Sequence, residues 1–298
     1  MILFLTLALS AAFFVTGFAN GPFRGAGSIV QNFTNPGGTK ENKLVKTNSG
    51  VTEPVVFIHI SDTHFGQDRG KGDDFKKAFF NNVVRKINPL AVVHTGDLVD
   101  KGYRSDYWDS YNSIVAKTQT YPKYIDILGN HDVKKNILYN GLNGFTANSV
   151  TGRSGGNFYG TTYIGSTIPV CLIRTNTAAA DTSDSDYNRQ NIDGCFSKVQ
   201  ADYITEKLKS SPAAAFNVLL AHHPITGKYA VKKGSIYMKN LIDSAKAPIY
   251  LCGHVHQPSL TWLDNPPINT LIVAGDAFGR NGFRSSFYLV AYDMFTGP

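Results

Sequence analysis

All eight histidines of the sequence lie in five short apolar runs or in the turns that follow them. The turns also carry Asp, Asn and Gly, and they read, in chain order, Ser-Asp-Thr-His, Gly-Asp-Leu-Val-Asp, Gly-Asn-His-Asp, His-His-Pro and Gly-His-Val-His. Histidines that only fill a core or cover a surface would be scattered along the chain. Carboxylate, imidazole and amide ligands without thiolate suit Zn, Fe or Mn better than a structural cysteine-zinc site. The pattern therefore indicates a catalytic metal centre.

The spacing inside these turns predicts which side chains meet. Asp62 and His64 are two residues apart, as are His254 and His256, and an extended backbone points such pairs to the same side. His59 and His94 lie within apolar runs, so we interpret these two as core histidines. The glycines that precede candidate ligands, where a residue without Cβ permits a sharp turn, are Gly96, Gly129 and Gly253.

Strands and helices alternate along the first part of the predicted domain. The predicted strands are Val55–Ile60, Leu90–Thr95, Tyr124–Leu128, Asn217–Ala221 and Pro248–Cys252. The predicted helices are Asp73–Ile87, Tyr107–Val115, Val199–Leu208 and Ser235–Ser244. Alternation predicts a largely parallel sheet, and ligands of such sheets bind beyond the carboxyl ends of the strands. The five polar turns should therefore converge.

Further apolar runs have no helices between them. We expect these to form a second, more antiparallel sheet from Asn157–Ile164, Val170–Thr175, Thr270–Ala274 and Ser286–Asp293.

The five motifs together resemble the calcineurin-like metallophosphoesterase superfamily, over about Val55 to Asp293. The resemblance implies an α/β fold, namely a four-layer α-β-β-α sandwich with two mixed sheets. It also implies a metal-dependent hydrolase of phosphate esters with a dinuclear centre and a metal-bridging hydroxide as nucleophile. The chain resembles class III cyclic-nucleotide phosphodiesterase-like enzymes, and it resembles more closely a eukaryotic branch of lumenal metallophosphoesterases that continue into membrane helices.

The resemblance assigns a role to each polar turn. It implies that the first metal is held by Asp62, His64 and His256, and the second by Asn130, His222 and His254, with Asp97 bridging the two. His223 is the alternative to His222. His131 would protonate the leaving group or stabilise charge on the phosphoryl oxygens, and Asp100 would orient His131. The metals would be two divalent or trivalent ions of Fe, Zn or Mn.

The beginning of the chain predicts export. Ile2–Ala19 contains no charged residue, and Gly17 and Ala19 supply the small residues of a signal-peptide cleavage site, so residues 1–19 are interpreted as a signal peptide. Eighteen apolar residues are also the lower limit of a membrane span, so an uncleaved signal anchor is the alternative. We interpret residues 20–50 as a linker or loosely docked arm and residues 51–298 as the metallophosphoesterase domain. We expect a secreted or lumenal protein that contacts a membrane only if the anchor is retained.

The charge of the chain limits the kinds of partner that it is expected to bind. The net charge is +7, but Lys and Arg form no run of five, which argues against a nucleic-acid arm and leaves a small phosphate ester as the expected partner. Nothing in the sequence sets the oligomeric state.

An odd number of cysteines predicts a Cys171–Cys195 disulfide with Cys252 reduced, and three free thiols are the alternative.

Three functions fit the motifs: an active phosphoesterase, a metal-binding scaffold without turnover, and an extracellular nuclease. The complete ligand set and His131 favour the first, and a nuclease would need a basic groove with interleaved aromatics.

The expected walls of the substrate cleft are Thr177–Gly194 and Gly227–Lys233. The first of these segments carries Asp181, Asp184 and Asp186, which would repel doubly charged monoesters more than singly charged diesters. Phosphodiesters or small nucleotide-like esters are therefore the expected substrates.

Overall fold

A computed structural model of the chain describes residues 2–8, 55–115, 123–134, 141–153, 158–165, 169–178, 193–210, 216–263, 270–279 and 286–292. The strands in these residues are β1 (Ile2–Ala8), β2 (Val55–Ile60), β3 (Ala91–His94), β4 (Lys123–Asp126), β5 (Gly160–Ile164), β6 (Val170–Arg174), β7 (Gly194–Cys195), β8 (Phe216–Leu220), β9 (Val231–Lys233), β10 (Ile249–Cys252), β11 (Ser259–Leu263), β12 (Thr270–Ala274) and β13 (Ser286–Tyr292). The α-helices are α1 (Asp73–Ala78), α2 (Arg85–Ile87), α3 (Ser105–Ile114), α4 (Gly141–Asn148), α5 (Val150–Arg153), α6 (Lys198–Ser210) and α7 (Ser235–Ala245).

Two mixed sheets form the centre of the protein. The first has the order β1-β13-β2-β3-β4, with β2, β3 and β4 parallel and β13 antiparallel to β2. The second has the order β11-β12-β10-β8-β6-β5, parallel in its middle and antiparallel at both edges. A short parallel pair, β7-β9, lies apart from both. The predicted α/β class with two mixed sheets is confirmed.

Three apolar clusters separate four layers. The middle cluster lies between the two sheets and contains alternate residues of their strands, such as Phe57, Val93, Leu172 and Val218. The opposite face of the first sheet packs on α1 to α5 through a cluster that includes Trp108. The opposite face of the second sheet packs on α6 and α7 in a third cluster. Since strand side chains alternate between faces, each central strand supplies two clusters, and the layers form an α-β-β-α sandwich.

The predicted division of strands between the sheets was wrong. Ser286–Tyr292 belongs to the first sheet, while β8 and β10 lie in the centre of the second sheet beside β6 and β12. The apolar residues of β13 explain its position: Phe287 packs in the helix-side cluster, and Tyr288 and Val290 pack between the sheets. A strand that is apolar on both faces fits an interior position.

The predicted helix Asp73–Ile87 is also more complex than expected. It consists of α1, a π-helical segment Phe79–Val84, and α2. Phe79, Phe80 and Val84 of this segment are all buried. A wider turn of helix rotates the residues that follow it, so more side chains reach the core than a 3.6-residue period predicts.

The predicted disulfide was wrong as well. Cys171, Cys195 and Cys252 are all buried thiols that form no disulfide. Cys171 and Cys252 lie in the third apolar cluster, on the helix-covered face of the second sheet, where a thiol behaves as a small apolar side chain.

The predicted segments at the beginning of the chain are largely outside the described residues, including the linker 20–50. Ile2–Ala8 pairs antiparallel with β13, and the removal of residues 1–19 stays a prediction. No helix in the described part of the chain has the length and apolarity that a membrane crossing requires.

The packing between the sheets should dominate the stability. We expect Leu172→Ala, which empties a fully buried position between the sheets, to lower the free energy of unfolding by about 2–5 kcal/mol because it leaves a cavity. Leu90→Ala is the matched control, since Leu90 is 46% exposed and should cost within about 0.5 kcal/mol. Denaturant unfolding of both variants measures the difference. Equal losses would contradict the assignment of Leu172 to the core.

Candidate metal centre

The five polar turns meet at one edge of the sandwich. Three of them follow β2, β3 and β4 of the first sheet, and two follow β8 and β10 of the second. Backbone hydrogen bonds hold neighbouring turns together: Asp62 N–H donates to the Gly96 carbonyl at 3.0 Å, and Gly253 N–H donates to the His222 carbonyl at 2.9 Å. The predicted convergence at the carboxyl ends of the strands is therefore present in the structure.

The first group of ligands combines Asp62, His64, Asp97 and His256. One ligand atom from each of these residues lies within 4.8 Å of all the others. Nε2 of His64 is 3.0 Å from Nε2 of His256, which is in turn 3.3 Å from Oδ1 of Asp62. Burial lowers the pKa of His64 to about 3, so its imidazole is neutral and offers a lone pair to a metal.

The second group has the amide of Asn130 at its centre. Oδ1 of Asn130 is 3.0 Å from Nε2 of His222 and 3.0 Å from Nδ1 of His254. Nδ1 of His222 lies 2.8 Å from the Thr95 carbonyl, which only accepts hydrogen bonds. Nδ1 therefore carries the proton, and Nε2 of His222 faces the site, the tautomer that a ligand histidine needs.

His223 was the alternative to His222. It lies close enough to His222 and His254 to share a metal, but its Nδ1 is 3.0 Å from Oγ1 of Thr177. His222 faces Asn130 and also approaches Asp97, with 3.4 Å between Nε2 and Oδ2. The geometry therefore favours His222 as the ligand.

Asp97 lies between the two groups. Oδ1 accepts the backbone N–H of His131 at 2.7 Å, while Oδ2 lies 3.7 Å from Nε2 of His64 and 3.4 Å from Nε2 of His222. Within the described residues, Oδ2 is buried and accepts no hydrogen bond. A buried carboxylate oxygen without a donor is costly unless a cation balances it. The residues present therefore fit two metal ions that share Asp97.

The backbone of the ligand turns is left-handed, and the predicted extended geometry was wrong. Glycine adopts positive φ readily, but other residues do so at a cost of about 1–3 kcal/mol each, and such strain clusters at functional sites. Gly96 has a φ of 94°. The ligand residues with positive φ are Asp62 (50°), His64 (43°), Asp97 (56°), His254 (71°) and His256 (54°).

Two further glycines are required by close approach. A Cβ on Gly129 would overlap the backbone nitrogen and Oδ1 of Asp97, and a Cβ on Gly253 would overlap Oγ of Ser61 and Oδ2 of Asp62. Each glycine therefore lets a ligand carboxylate lie directly against a neighbouring turn.

His131 lies beside the first group and is held by Asp100. Nδ1 of His131 is 2.8 Å from the Asp100 carbonyl and 3.3 Å from its Oδ1. Burial opposes the charged imidazole, but the Asp100 hydrogen bond and the charge of Asp97 offset it and raise the pKa of His131. The contacts of Asp100 with the ring of His131 are those expected if Asp100 orients His131.

Asp132 is a buried residue of the site that the sequence analysis did not single out. Oδ1 accepts the backbone N–H of Val99 at 3.0 Å, and Oδ2 accepts that of Gly129 at 2.8 Å, so Asp132 links two ligand turns. Burial and the charge of Asp97 raise the pKa of Asp132 to about 7. Its position two residues after Asn130, inside the Gly-Asn-His-Asp motif, was the available signal.

His59 and His94 are core histidines, as predicted. Nε2 of His59 is 2.9 Å from Oγ1 of Thr95, and Nε2 of His94 is 2.9 Å from Oγ1 of Thr63. Burial lowers the pKa of both to about 3, so they are neutral members of the strands that support the site.

Comparisons with known proteins agree with this geometry. The sequence profile of the family described as calcineurin-like phosphoesterase matches residues 55–258, which include every ligand turn. The chain belongs to this family. No curated protein matches this phosphoesterase at a significant level.

Solved structures share its fold. A dimetal phosphatase from Danio rerio is 12% identical with a TM-score of 0.58, over 75% of this chain and 88% of its own. A purple acid phosphatase from yellow lupin is 14% identical with a TM-score of 0.53, over 83% of this chain and 47% of its own. The Plasmodium protein GAP50, described as the anchor in the inner membrane complex, is 13% identical with a TM-score of 0.52, over 76% and 73%.

The metal-free phosphoesterase should bind metal more tightly at higher pH. Burial opposes a charged His222, but the carboxylates of Asp97 and Asp62 offset it and raise its pKa from 6.5 to about 9. The proton is therefore bound at pH 7, must be displaced by metal, and is lost as pH rises through about 9. We expect affinity for Zn²⁺ to rise by about tenfold per pH unit between pH 7 and pH 9.

Titration calorimetry in two buffers of different ionisation enthalpy measures both the affinity and the protons released. An affinity that does not change over this pH range, with no proton release, would contradict the protonated state of His222.

Removing the shared carboxylate should empty both positions. We expect Asp97→Ala to lose both ions, because Oδ2 of Asp97 faces a ligand histidine from each group. Asp202→Ala is the control, since Asp202 is exposed on α6 and pairs with Lys198. Elemental analysis of the two purified variants gives the answer, and two retained metal equivalents in Asp97→Ala would refute the bridging assignment.

Proposed function

We propose that this phosphoesterase hydrolyses phosphodiesters or small nucleotide-like esters at a dinuclear metal centre, in a lumenal or extracellular compartment. The observation that supports the dinuclear centre is the buried carboxylate of Asp97 between two groups of ligands. The ligands proposed for the first ion are Asp62, His64 and His256, and those proposed for the second are Asn130, His222 and His254. Nitrogen and oxygen donors without thiolate suit Fe, Zn or Mn.

Two such ions, when bound, would lower the pKa of a bound water and stabilise negative charge on the oxygens of a phosphate ester. The chain itself has to position the ester and manage the proton of the leaving group. Asp62, His64 and Asp97 are buried, whereas His131 is 22% exposed on its side chain and can meet a substrate from solvent. We assign to His131 the hydrogen bond or proton that the leaving oxygen needs, and to Asp100 the orientation of the ring.

Tyr229 supports a cleft wall on the side of the second group. It belongs to the segment Gly227–Lys233, and its ring meets the His254 ring edge-on with 5.7 Å between centroids. An aromatic ring beside the site can pack against the leaving group of an ester. Asp181, Asp184 and Asp186 of the other proposed wall lie outside the described residues, so the preference for diesters rests on their charge alone.

Buried thiols are compatible with an oxidising compartment. Burial raises the pKa of Cys171 to about 11 and that of Cys252 further still. Since the thiolate is the reactive form, thiols with raised pKa values resist oxidation and exchange. The signal-like residues 1–19 remain the reason for proposing export.

Hydrolysis should depend on metal and on His131. We expect the purified protein to hydrolyse bis(4-nitrophenyl) phosphate faster than 4-nitrophenyl phosphate, and to lose both activities on exhaustive chelation. His131→Ala should keep two metal equivalents and lose roughly 10²–10⁴-fold in kcat, the usual contribution of a general acid.

The matched control is His59→Ala, which removes an imidazole that contacts Thr95 rather than the site. Activity that survives chelation would exclude the metal mechanism, and a faster monoesterase rate would reverse the substrate preference. Two bound metals without any hydrolysis would favour a metal-binding scaffold without turnover.

A further inference from the structure

Lys134 follows the Gly-Asn-His-Asp turn, and its ammonium lies against the ring of His131. Nζ of Lys134 is 2.5 Å from Nδ1 and 3.0 Å from Nε2 of that ring, and 3.5 Å from the Asp100 carbonyl. The side chain is half-buried. Lys134 is thus a positive charge beside the residue to which we assign the leaving group.

The Asp100 carbonyl lies close to both the ring of His131 and the ammonium of Lys134. This carbonyl, which can only accept hydrogen bonds, is 2.8 Å from Nδ1 of the ring and 3.5 Å from Nζ of Lys134. Nζ is closer to Nδ1 than to Nε2. The ammonium, which has three donors and no acceptor, therefore lies against the Asp100 side of the ring, and the leaving-group proton stays assigned to His131.

We propose that Lys134 is a positioning residue of this phosphoesterase, which fixes the ring of His131 and keeps a positive charge beside it. The inference rests on the proposed hydrolytic function and adds a residue to it. As the bond between phosphorus and the leaving oxygen breaks, its electron pair goes to that oxygen. A fixed positive charge nearby stabilises the developing anion without reorganisation.

This role predicts a dependence on the leaving group. Esters of alcohols with high pKa develop more charge on the leaving oxygen and need more stabilisation than esters of acidic phenols. A residue that only binds the charge of the substrate would affect KM for all esters equally. A residue that only supports the fold would lower activity on all of them by one factor.

The test compares kcat and KM of Lys134→Met on a series of aryl and alkyl phosphodiesters of rising leaving-group pKa. We expect kcat to fall by about tenfold to a hundredfold on the poorest leaving groups and little on the best, with KM within about twofold of wild type. Lys134→Arg should recover much of the loss, because it restores the positive charge. Lys198→Met, the same substitution on the exposed face of α6, should behave as wild type.

A uniform loss across the series, an effect on KM alone, or no effect would each overturn the proposal, as would loss of metal from Lys134→Met by elemental analysis. Inactivity of the wild-type protein towards every ester would instead overturn the proposed function. The two failures are therefore distinguishable.

Discussion

Asp97 is ionised in a place where burial favours the neutral acid. The loss of hydration raises the pKa of a buried carboxyl group, but His222, His131 and His64 surround this one and hold its pKa well below the usual range. His131 follows β4 of the first sheet, and His222 follows β8 of the second. The compensation of one charge therefore requires both sheets to be packed together, and the apolar layer between them sets the spacing of the site.

The packing of the two sheets also holds the ligand turns around Asp97 close together. Five ligand residues adopt positive φ, a conformation that persists only when the surroundings hold it. Asp132 contributes by accepting backbone N–H groups from the turns after β3 and β4. The cost of the left-handed backbone is thus offset by hydrogen bonds between turns and by the core beneath them.

Much of this site could be predicted from its spacing. The apolar runs before each motif have strand length, and the carboxyl ends of strands share an edge, so the convergence of Asp62, Asn130 and His254 followed from local pattern. The backbone conformation did not, because a spacing of two residues fits an extended and a left-handed turn alike. Asp132 was missed since an acid beside a ligand motif does not show whether it faces the metal or the backbone.

The partition of the strands was beyond local pattern for another reason. The run Ser286–Asp293 is apolar on both faces, which shows that it is buried but not beside which strand. Only the register, with Tyr288 opposite His59, shows that it completes the first sheet. Similarly, the number of cysteines does not show which of them lie close enough to pair, and all three are buried thiols outside any disulfide.

The placement of β13 has a consequence for synthesis of the protein. A strand from the end of the chain pairs with β2, the first strand of the domain, and the ring of Tyr288 stacks on His59 with 5.8 Å between centroids. Contacts between residues so distant in sequence make folding slow, because a long loop must close before they form. A nascent chain on the ribosome lacks β13 until the rest of the domain has been synthesised, and until then β2 presents an unpaired edge. Until β13 pairs with it, that edge can associate with other chains.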